Sequence, residues 1–265
     1  MMPVLIRKTL RDHRRLAIWW GVGLLAMGGV ELWAYTFMAK AGPGAQEFVN
    51  SFPESMRAMF RMDDYFSGPG FLATELFSFM VQLVFIAVGA TMAASATAGE
   101  EERRTADLLL ALPVRRHRVL LAKLTALVLV EAVIAVVFLV FLWATMPLAD
   151  MAAAIGDVAA ATLQCALLGL VCAGVAALVG AWTGHRGLAL GVAMSVAIVS
   201  FIVYSLAPMV DALDTAVNLV PWQWAMGNGP LTHGLSAPHL ALLLGTTGLL
   251  VAAAIACFER RDIAS

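Results

Sequence analysis

The sequence predicts an all-α, polytopic membrane protein with six transmembrane helices, because of its composition and the length of its apolar runs. Hydrophobic residues make up 61% of the 265 residues, charged residues make up only 13%, and the mean hydropathy is +0.85. Soluble domains average about 45–50% apolar and about 25% charged residues. About 20 apolar residues in a helix cross a hydrocarbon core of about 30 Å. We therefore predict one transmembrane domain over residues 1–265, with spans at 16–38, 71–98, 119–146, 152–183, 187–207 and 238–258.

The distribution of basic residues orients these spans. Of the 17 lysines and arginines, fourteen precede span one, lie in or beside the connections between spans two and three and between spans four and five, or follow span six. The other three, Lys40, Arg57 and Arg61, lie on the opposite face. Cytoplasmic loops carry the excess of positive charge. Because an even number of spans returns the chain to its starting face, we expect both termini in the cytoplasm and the spans in the cell membrane.

The first fifteen residues have a pattern of their own. One face of a helix would carry residues that recur at helical spacing, namely Leu5, Ile6, Thr9, Leu10 and His13. Basic side chains would occupy the other faces. This pattern predicts a short amphipathic helix over residues 1–15 that lies in the cytoplasmic interface. A basic tail that only directs insertion is the alternative.

Two longer connections, residues 39–70 and 208–237, are predicted on the external face. The second contains Trp222 and Trp224. Tryptophan is enriched at the level of the lipid headgroups. We expect this segment to lie at the outer interface or to dip into the membrane, where neighbouring helices would have to shield its backbone.

Common catalytic motifs are missing from the sequence. The lysines follow Arg, Ala and Ala, so the GxxxxGK[ST] loop that holds ATP phosphates is absent, as are the HExxH and GxSxG motifs. The five histidines have no metal-ligand spacing. We therefore expect neither an enzymatic activity nor a metal or cofactor in this chain. The net charge of -1 gives no indication of a nucleic-acid partner.

Glu131 lies near the middle of span three, whereas Glu31 and Glu75 lie near the ends of their spans. An ionisable group inside the membrane is costly and is a functional candidate by default. In the structural alternative, a protonated or paired Glu131 holds helices together through Gln82, Gln164 or a hydroxyl group. The sequence leaves both roles open.

Residues 99–118 form the densest cluster of charge in the chain. Thr105 can cap a helix whose first turn contains Asp107, where the helix dipole favours an acid. Pro113 ends this helix, because the residue before proline avoids the helical conformation. An acidic triplet and a leucine face exceed what a loop on anionic lipid requires, so we predict a helix that docks onto a soluble protein. The residues assigned to this contact are Glu100, Glu101, Glu102, Arg103, Arg104, Thr105, Leu108, Leu109, Leu112 and Pro113.

The same segment resembles the cytoplasmic loop of ABC-2-type transporter permeases, where a pattern close to GEE-x-x-GT-x-x-LL-x-x-PV-x-R precedes the third span. Arg104 stands where the family often has glycine. VPWQWAMGNGPLTHG before the last span and FERRDI after it are also similar to family segments, so the resemblance covers essentially the whole chain. The matching residues in the loop are Gly99, Glu100, Glu101, Thr105, Leu108, Leu109, Pro113, Val114 and Arg116, followed by Lys123 at the start of the span.

This resemblance implies a membrane permease subunit without its own motor. Family members are similar in having six spans, two permease subunits and two separate ATPase subunits, which bind ATP and Mg²⁺. The second permease would be another copy of this chain or a close paralogue. The helix in residues 99–118 would then be the coupling helix that fits a groove in the ATPase, and substrate would pass outward between the two permeases.

Two other classes of function stay open from the residues alone. A secondary transporter or channel would use Glu131 to couple to a proton or ion, although the sequence lacks the internal repeat common among such carriers. A membrane scaffold would show neither transport nor stimulated ATPase activity. The substrate itself is not indicated, since drugs, antibiotic peptides, lipids and sodium are all compatible with an apolar lining.

Overall fold

A computed structural model describes residues 2–38, 47, 49–53, 56–57, 62–99 and 116–260. Within these ranges the chain is helical and contains no strand. Each of the six long helices is long and apolar enough to cross a membrane, which confirms the predicted fold class. They are α1 (Met2–Met38), α2 (Met80–Thr97), α3 (Arg116–Thr145), α4 (Ile155–Thr183), α5 (Arg186–Leu206) and α6 (Ala237–Arg260).

Short helical segments occupy the connections. A helical turn at Gly68–Phe71 leads into a π-helix at Leu72–Leu76 before α2. Two more turns, Pro221–Met226 and Pro230–His233, lie between α5 and α6, and each starts with a proline, which suits the first helical position. Single 3₁₀ turns lie at Met62–Asp64, Met146–Ala149, Ala207–Met209, Asp211–Leu213 and Ala216–Leu219.

The core of the bundle is built around α4, which packs against α2, α5 and α6. In α2 and in α4, 72% of the residues of the most hydrophobic stretch are buried, compared with 11% in α6. Large apolar side chains cover the outside, including Trp19, Val133, Trp182 and Leu249. Such a surface is suited to lipid, so the chain is a multi-pass membrane protein.

Both described termini lie at one end of the bundle, which we call the inner end. His117 Nδ1, at the start of α3, lies 2.6 Å from Glu259 Oε1 at the end of α6. Lys8 of α1 and Arg186 of α5 line one cavity at this same end. The helices therefore alternate in direction as the sequence predicts. We call the opposite end the outer end.

The predicted boundary between an interfacial helix over 1–15 and a first span over 16–38 is wrong, because α1 is one continuous helix of 37 residues. Helix kinks need a proline, a glycine–serine pair or an inserted group. Residues 4–20 contain no proline, glycine or serine, so nothing in the sequence interrupts the helix. At 1.5 Å per residue α1 is roughly 55 Å long, longer than a bilayer core.

The second predicted span, residues 71–98, is also not one helix. Its first part is the π-helix at Leu72–Leu76, and α2 starts only at Met80. Between them Phe79 has φ -145° and ψ -48°, outside the helical region. Ser78 Oγ donates to Thr74 O over 2.5 Å, a local bond of the kind that competes with regular helix hydrogen bonding.

Part of the connection over 208–237 packs against the helices, whereas Met209, Val210 and Leu219 are exposed. Trp222 is only 2% exposed, and its backbone N–H donates to Ser200 Oγ of α5 over 2.9 Å. Six residues separate Ser200 from the end of α5 at Leu206, about 9 Å along the axis. The segment thus folds back along α5 and does not place Trp222 on the surface.

Candidate functional site

Residues 100–115 of the predicted coupling loop lie outside the described residues, and so do all ten residues assigned to the ATPase contact. The structure describes the helices on either side of the loop. α2 ends at Thr97, and α3 begins at Arg116, three residues before the predicted span. Lys123 Nζ donates to the carbonyl oxygen of Ala96 over 3.3 Å, which links α3 to the last turn of α2 next to the loop. A movement of the loop would therefore be transmitted to both α2 and α3.

A cavity of about 240 Å³ opens at the inner end beside this loop. It lies between the first half of α1, the end of α2 and the starts of α3 and α5. Lys8, Lys123, Arg186 and His13 line it together with Asp12, and Gly99 forms its edge. Three basic residues from separate parts of the sequence thus line one cavity.

Glu131 lies in the centre of the bundle, as its position in the sequence predicts. It is 1% exposed and stands fifteen residues, roughly 22 Å, into α3. Its carboxyl group faces α2 at Gly89, where an added methyl group would lie 2.6 Å from Glu131 Oε1 and 2.8 Å from Gly169 O of α4. The missing side chain at Gly89 is what leaves room for the carboxyl group between the three helices.

Glu131 forms no hydrogen bond with Gln82 or Gln164, the pairing that the structural alternative allowed. Both side-chain polar atoms of all three residues are buried and have no hydrogen-bond partner among the described residues. Gln82 lies at another level of the bundle, because it precedes Gly89, which faces Glu131, by seven residues, about two helical turns. Unpartnered polar groups are rare in protein interiors, and each requires an explanation.

A second cavity, of about 440 Å³, opens at the outer end. Its walls are the interrupted segment before α2, the last turns of α5 and the turns around Met226 and Pro230. Irregular backbone at membrane depth is tolerated only where it is buried in protein or lines a water-filled cavity. Sequence reasoning missed this cavity, because an unbroken helix over 71–98 would not form its wall.

Glu75 is the only acidic or basic side chain among the described residues that line this outer cavity. Tyr65 Oη donates to Glu75 Oε1 over 2.6 Å. Burial, and then the hydrogen bond and charge of Glu75, raise the pKa of Tyr65 above its ordinary value, so the phenol keeps its proton and remains the donor. The bond holds the carboxylate of Glu75 in one orientation.

Three aromatic rings support the inner wall of the outer cavity. The ring centroids of Phe79 and Phe201 are 5.0 Å apart, and those of Phe201 and Trp222 are also 5.0 Å apart. Phe79 and Phe201 line the cavity, whereas Trp222 lies behind them. The sequence signals for this arrangement were the tryptophan and the turn at Gly229, where φ is +61° and glycine is favoured.

Comparison with known families gives a match over nearly the whole chain. A family model described as "ABC-2 family transporter protein" matches residues 4–263. The chain belongs to this family. No curated protein matches the chain.

As an ABC-2 family protein, the chain is the membrane-spanning permease component of an ABC transporter. Permeases of this family act with ABC ATPase subunits, which agrees with the missing phosphate-binding motif in this chain. In the part of this permease that the structure describes, no group of three or more His, Cys, Asp or Glu side chains could hold a metal ion.

Proposed function

We propose that the chain is the permease subunit of an ABC exporter. Two copies, or one copy and a close paralogue, form the translocation path between them in the cell membrane. The observation that supports this best is the family match over residues 4–263, which spans all six helices and the loop between α2 and α3.

We infer that the inner end faces the cytoplasm. Both described termini, the ends of the loop between α2 and α3 and the start of α5 lie there. Fourteen of the 17 basic residues belong to these segments. An excess of lysine and arginine near span ends marks the cytoplasmic face.

Energy enters this transporter through two separate ATPase subunits that bind ATP and Mg²⁺. The chain lacks the GxxxxGK[ST] loop that holds ATP phosphates and acts as a transporter subunit. The loop between α2 and α3 supplies the contact, with apolar contact through its leucines and with orientation set by the charges that flank them. ATPase closure then tilts α2 and α3 together, because Lys123 links them.

The test is a double change, Leu109→Asp with Leu112→Asp, in the permease co-expressed with its ATPase. Each fully buried leucine contributes about 1.5–3 kcal/mol, so two charges in their place abolish co-purification of the ATPase or uncouple its hydrolysis from substrate. The spans still insert, since the change lies outside the lipid. A double variant that retained a bound, substrate-responsive ATPase would contradict the assignment.

Two further variants act as controls for this test. Leu148→Asp places the same change on a leucine that is 82% exposed at the outer end, and it should leave ATPase binding unaltered. Glu101→Lys should weaken binding less than the double change and in a salt-dependent way, because surface charge acts mainly on encounter.

A secondary transporter or channel is the second candidate, and the unpartnered carboxyl group of Glu131 in the bundle centre is what favours it. Such a protein would couple the movement of its substrate to a proton or ion that moves down its own gradient, without any ATPase. Uptake into vesicles that contain the permease alone, driven by a pH or sodium gradient, would support this candidate and contradict the first.

A further inference from the structure

The outer cavity is built from broken helices. The π-helix at Leu72–Leu76, the break at 77–79 and the turns at Pro221–Met226 and Pro230–His233 meet there. Single-turn π-helices occur frequently at functional sites. In secondary transporters, substrate and ion sites are typically formed by discontinuous helices. The cavity volume of about 440 Å³ lies within the range of sites for small organic molecules.

The charge of the cavity is negative. Glu75 is its only acidic or basic lining residue among those described, and its hydrogen-bond donor is the neutral phenol of Tyr65. Glu31 of α1 does not line the cavity. A carboxylate with no described cation beside it, in a site walled by protein, attracts a positive ligand.

The rest of the lining suits an organic cation better than a bare metal ion. The rings of Phe79 and Phe201 present an aromatic wall, and Met226 and Leu231 add apolar surface. Aromatic faces attract organic cations, and apolar surface binds their hydrocarbon parts. Within the described residues no second carboxylate joins Glu75 in the lining, although a site for a hard cation needs several oxygen ligands.

We propose that the outer cavity binds a hydrophobic organic cation, with the positive centre at Glu75 and the hydrocarbon groups against Phe79 and Phe201. The substrate class of the transporter is then aromatic ammonium or phosphonium ions. That such a ligand is also transported rests on the proposed permease function, whereas its binding does not.

The test is equilibrium binding to the purified full chain in lipid nanodiscs, without any ATPase. The probes are tetraphenylphosphonium and tetraphenylborate, which have nearly the same shape and opposite charge. We expect saturable binding of the cation, and binding of the anion that is at least about tenfold weaker. Absence of saturable cation binding, or equal binding of both ions, would overturn the proposal without changing the ATPase result.

Variants of Glu75 and Glu31 test whether the cation binds in the outer cavity. Glu75→Gln removes the charge and should weaken cation binding at least about tenfold, whereas Glu75→Asp retains the charge and should keep binding within about fivefold. Glu31→Gln is the matched control, because it removes a nearby carboxylate that does not line the cavity, and it should change binding less than about threefold. Equal cation affinity in wild type and in a folded Glu75→Gln variant would place the ligand elsewhere and overturn the proposal.

Ser205→Phe provides an independent approach that leaves the charge in place. Ser205 lines the cavity at the end of α5, and a phenyl ring there would occupy part of its volume. We expect loss of tetraphenylphosphonium binding with an unaltered melting temperature. Retained binding in this variant would also contradict the proposed site.

Discussion

At the scale of single residues, Glu131 is the least expected feature of the bundle. Glu131 is only 1% exposed, and yet its carboxyl oxygens have no hydrogen-bond partner among the described residues. A charged side chain at the bilayer centre costs about 2.5–3.5 kcal/mol on insertion scales. Proteins retain such a group when it serves a function, because an apolar side chain of similar size would fill the same volume at no electrostatic cost.

We predict that Glu131→Gln lowers transport at least about tenfold, whereas Glu31→Gln lowers it much less. Glu31 is the appropriate comparison, because it lies near the outer end of α1 and is only partly buried. Transport assays in reconstituted vesicles would measure both. Equal activities of the two variants would remove the case for a functional Glu131.

A measurement of stability distinguishes a functional role of Glu131 from a structural one. Replacement of an unpartnered buried carboxyl group by leucine should change the free energy of unfolding by less than about 1 kcal/mol, or raise it. Thermal unfolding in detergent would measure this for Glu131→Leu. A large loss of stability would instead indicate that the carboxyl group holds the helices together.

At the scale of elements, the contact between α2 and α4 depends on glycine. A methyl group at Gly169 would lie 2.8 Å from Phe85 Cβ and 2.9 Å from its carbonyl carbon and oxygen. Backbone atoms cannot rotate away, so the helices would have to separate. Membrane helices lack a hydrophobic force between them and rely on close packing of this kind.

Gly169→Ala is therefore expected to destabilise the bundle by about 1–3 kcal/mol, the usual range for overpacking. Gly245→Ala in α6 is the matched control, since no atom lies within 4 Å of the position of its added methyl group. That control should be neutral or stabilising by up to about 1 kcal/mol, because alanine is the better helix former. Melting temperatures of the two variants compare them directly, and equal melting temperatures would refute the importance of this contact.

At the scale of the whole molecule, the two ends of the bundle differ in charge and in shape. The inner end gathers the basic residues and both described termini, and the outer end has the broken helices and Glu75. This asymmetry agrees with the proposal that the ATPase acts at the inner end and that the ligand binds at the outer end.

The orientation of these ends can be tested with single cysteines in a variant that lacks Cys165, Cys172 and Cys257. We predict that an Arg116→Cys variant is not labelled by a membrane-impermeant reagent added to intact cells, whereas an Asp214→Cys variant is. Asp214 is exposed at the outer end, so its thiol would be accessible. Labelling of the cysteine at position 116 from outside would show that the topology is inverted and that the loop between α2 and α3 is not cytoplasmic.

The sequence predicted most of what depends on local composition. The five spans other than the second end within a few residues of their predicted limits, apart from the long start of α1. The length of an apolar run is a property of the run itself, which is why a span can be predicted without knowledge of its neighbours. The depth of Glu131 was predictable for the same reason, since a helix rises by a constant distance per residue.

Only the tertiary structure decided how the spans meet. The break before α2 contains neither proline nor glycine between residues 71 and 79, and at this break Phe79 contacts Phe201 and Trp222. Whether Glu131, Gln82 and Gln164 can pair depends on the rotation and level of three helices, which the sequence pattern of the single helices does not specify. The outer cavity has the same origin, because it is formed between segments that lie more than a hundred residues apart and meet only when α4 is packed at the centre.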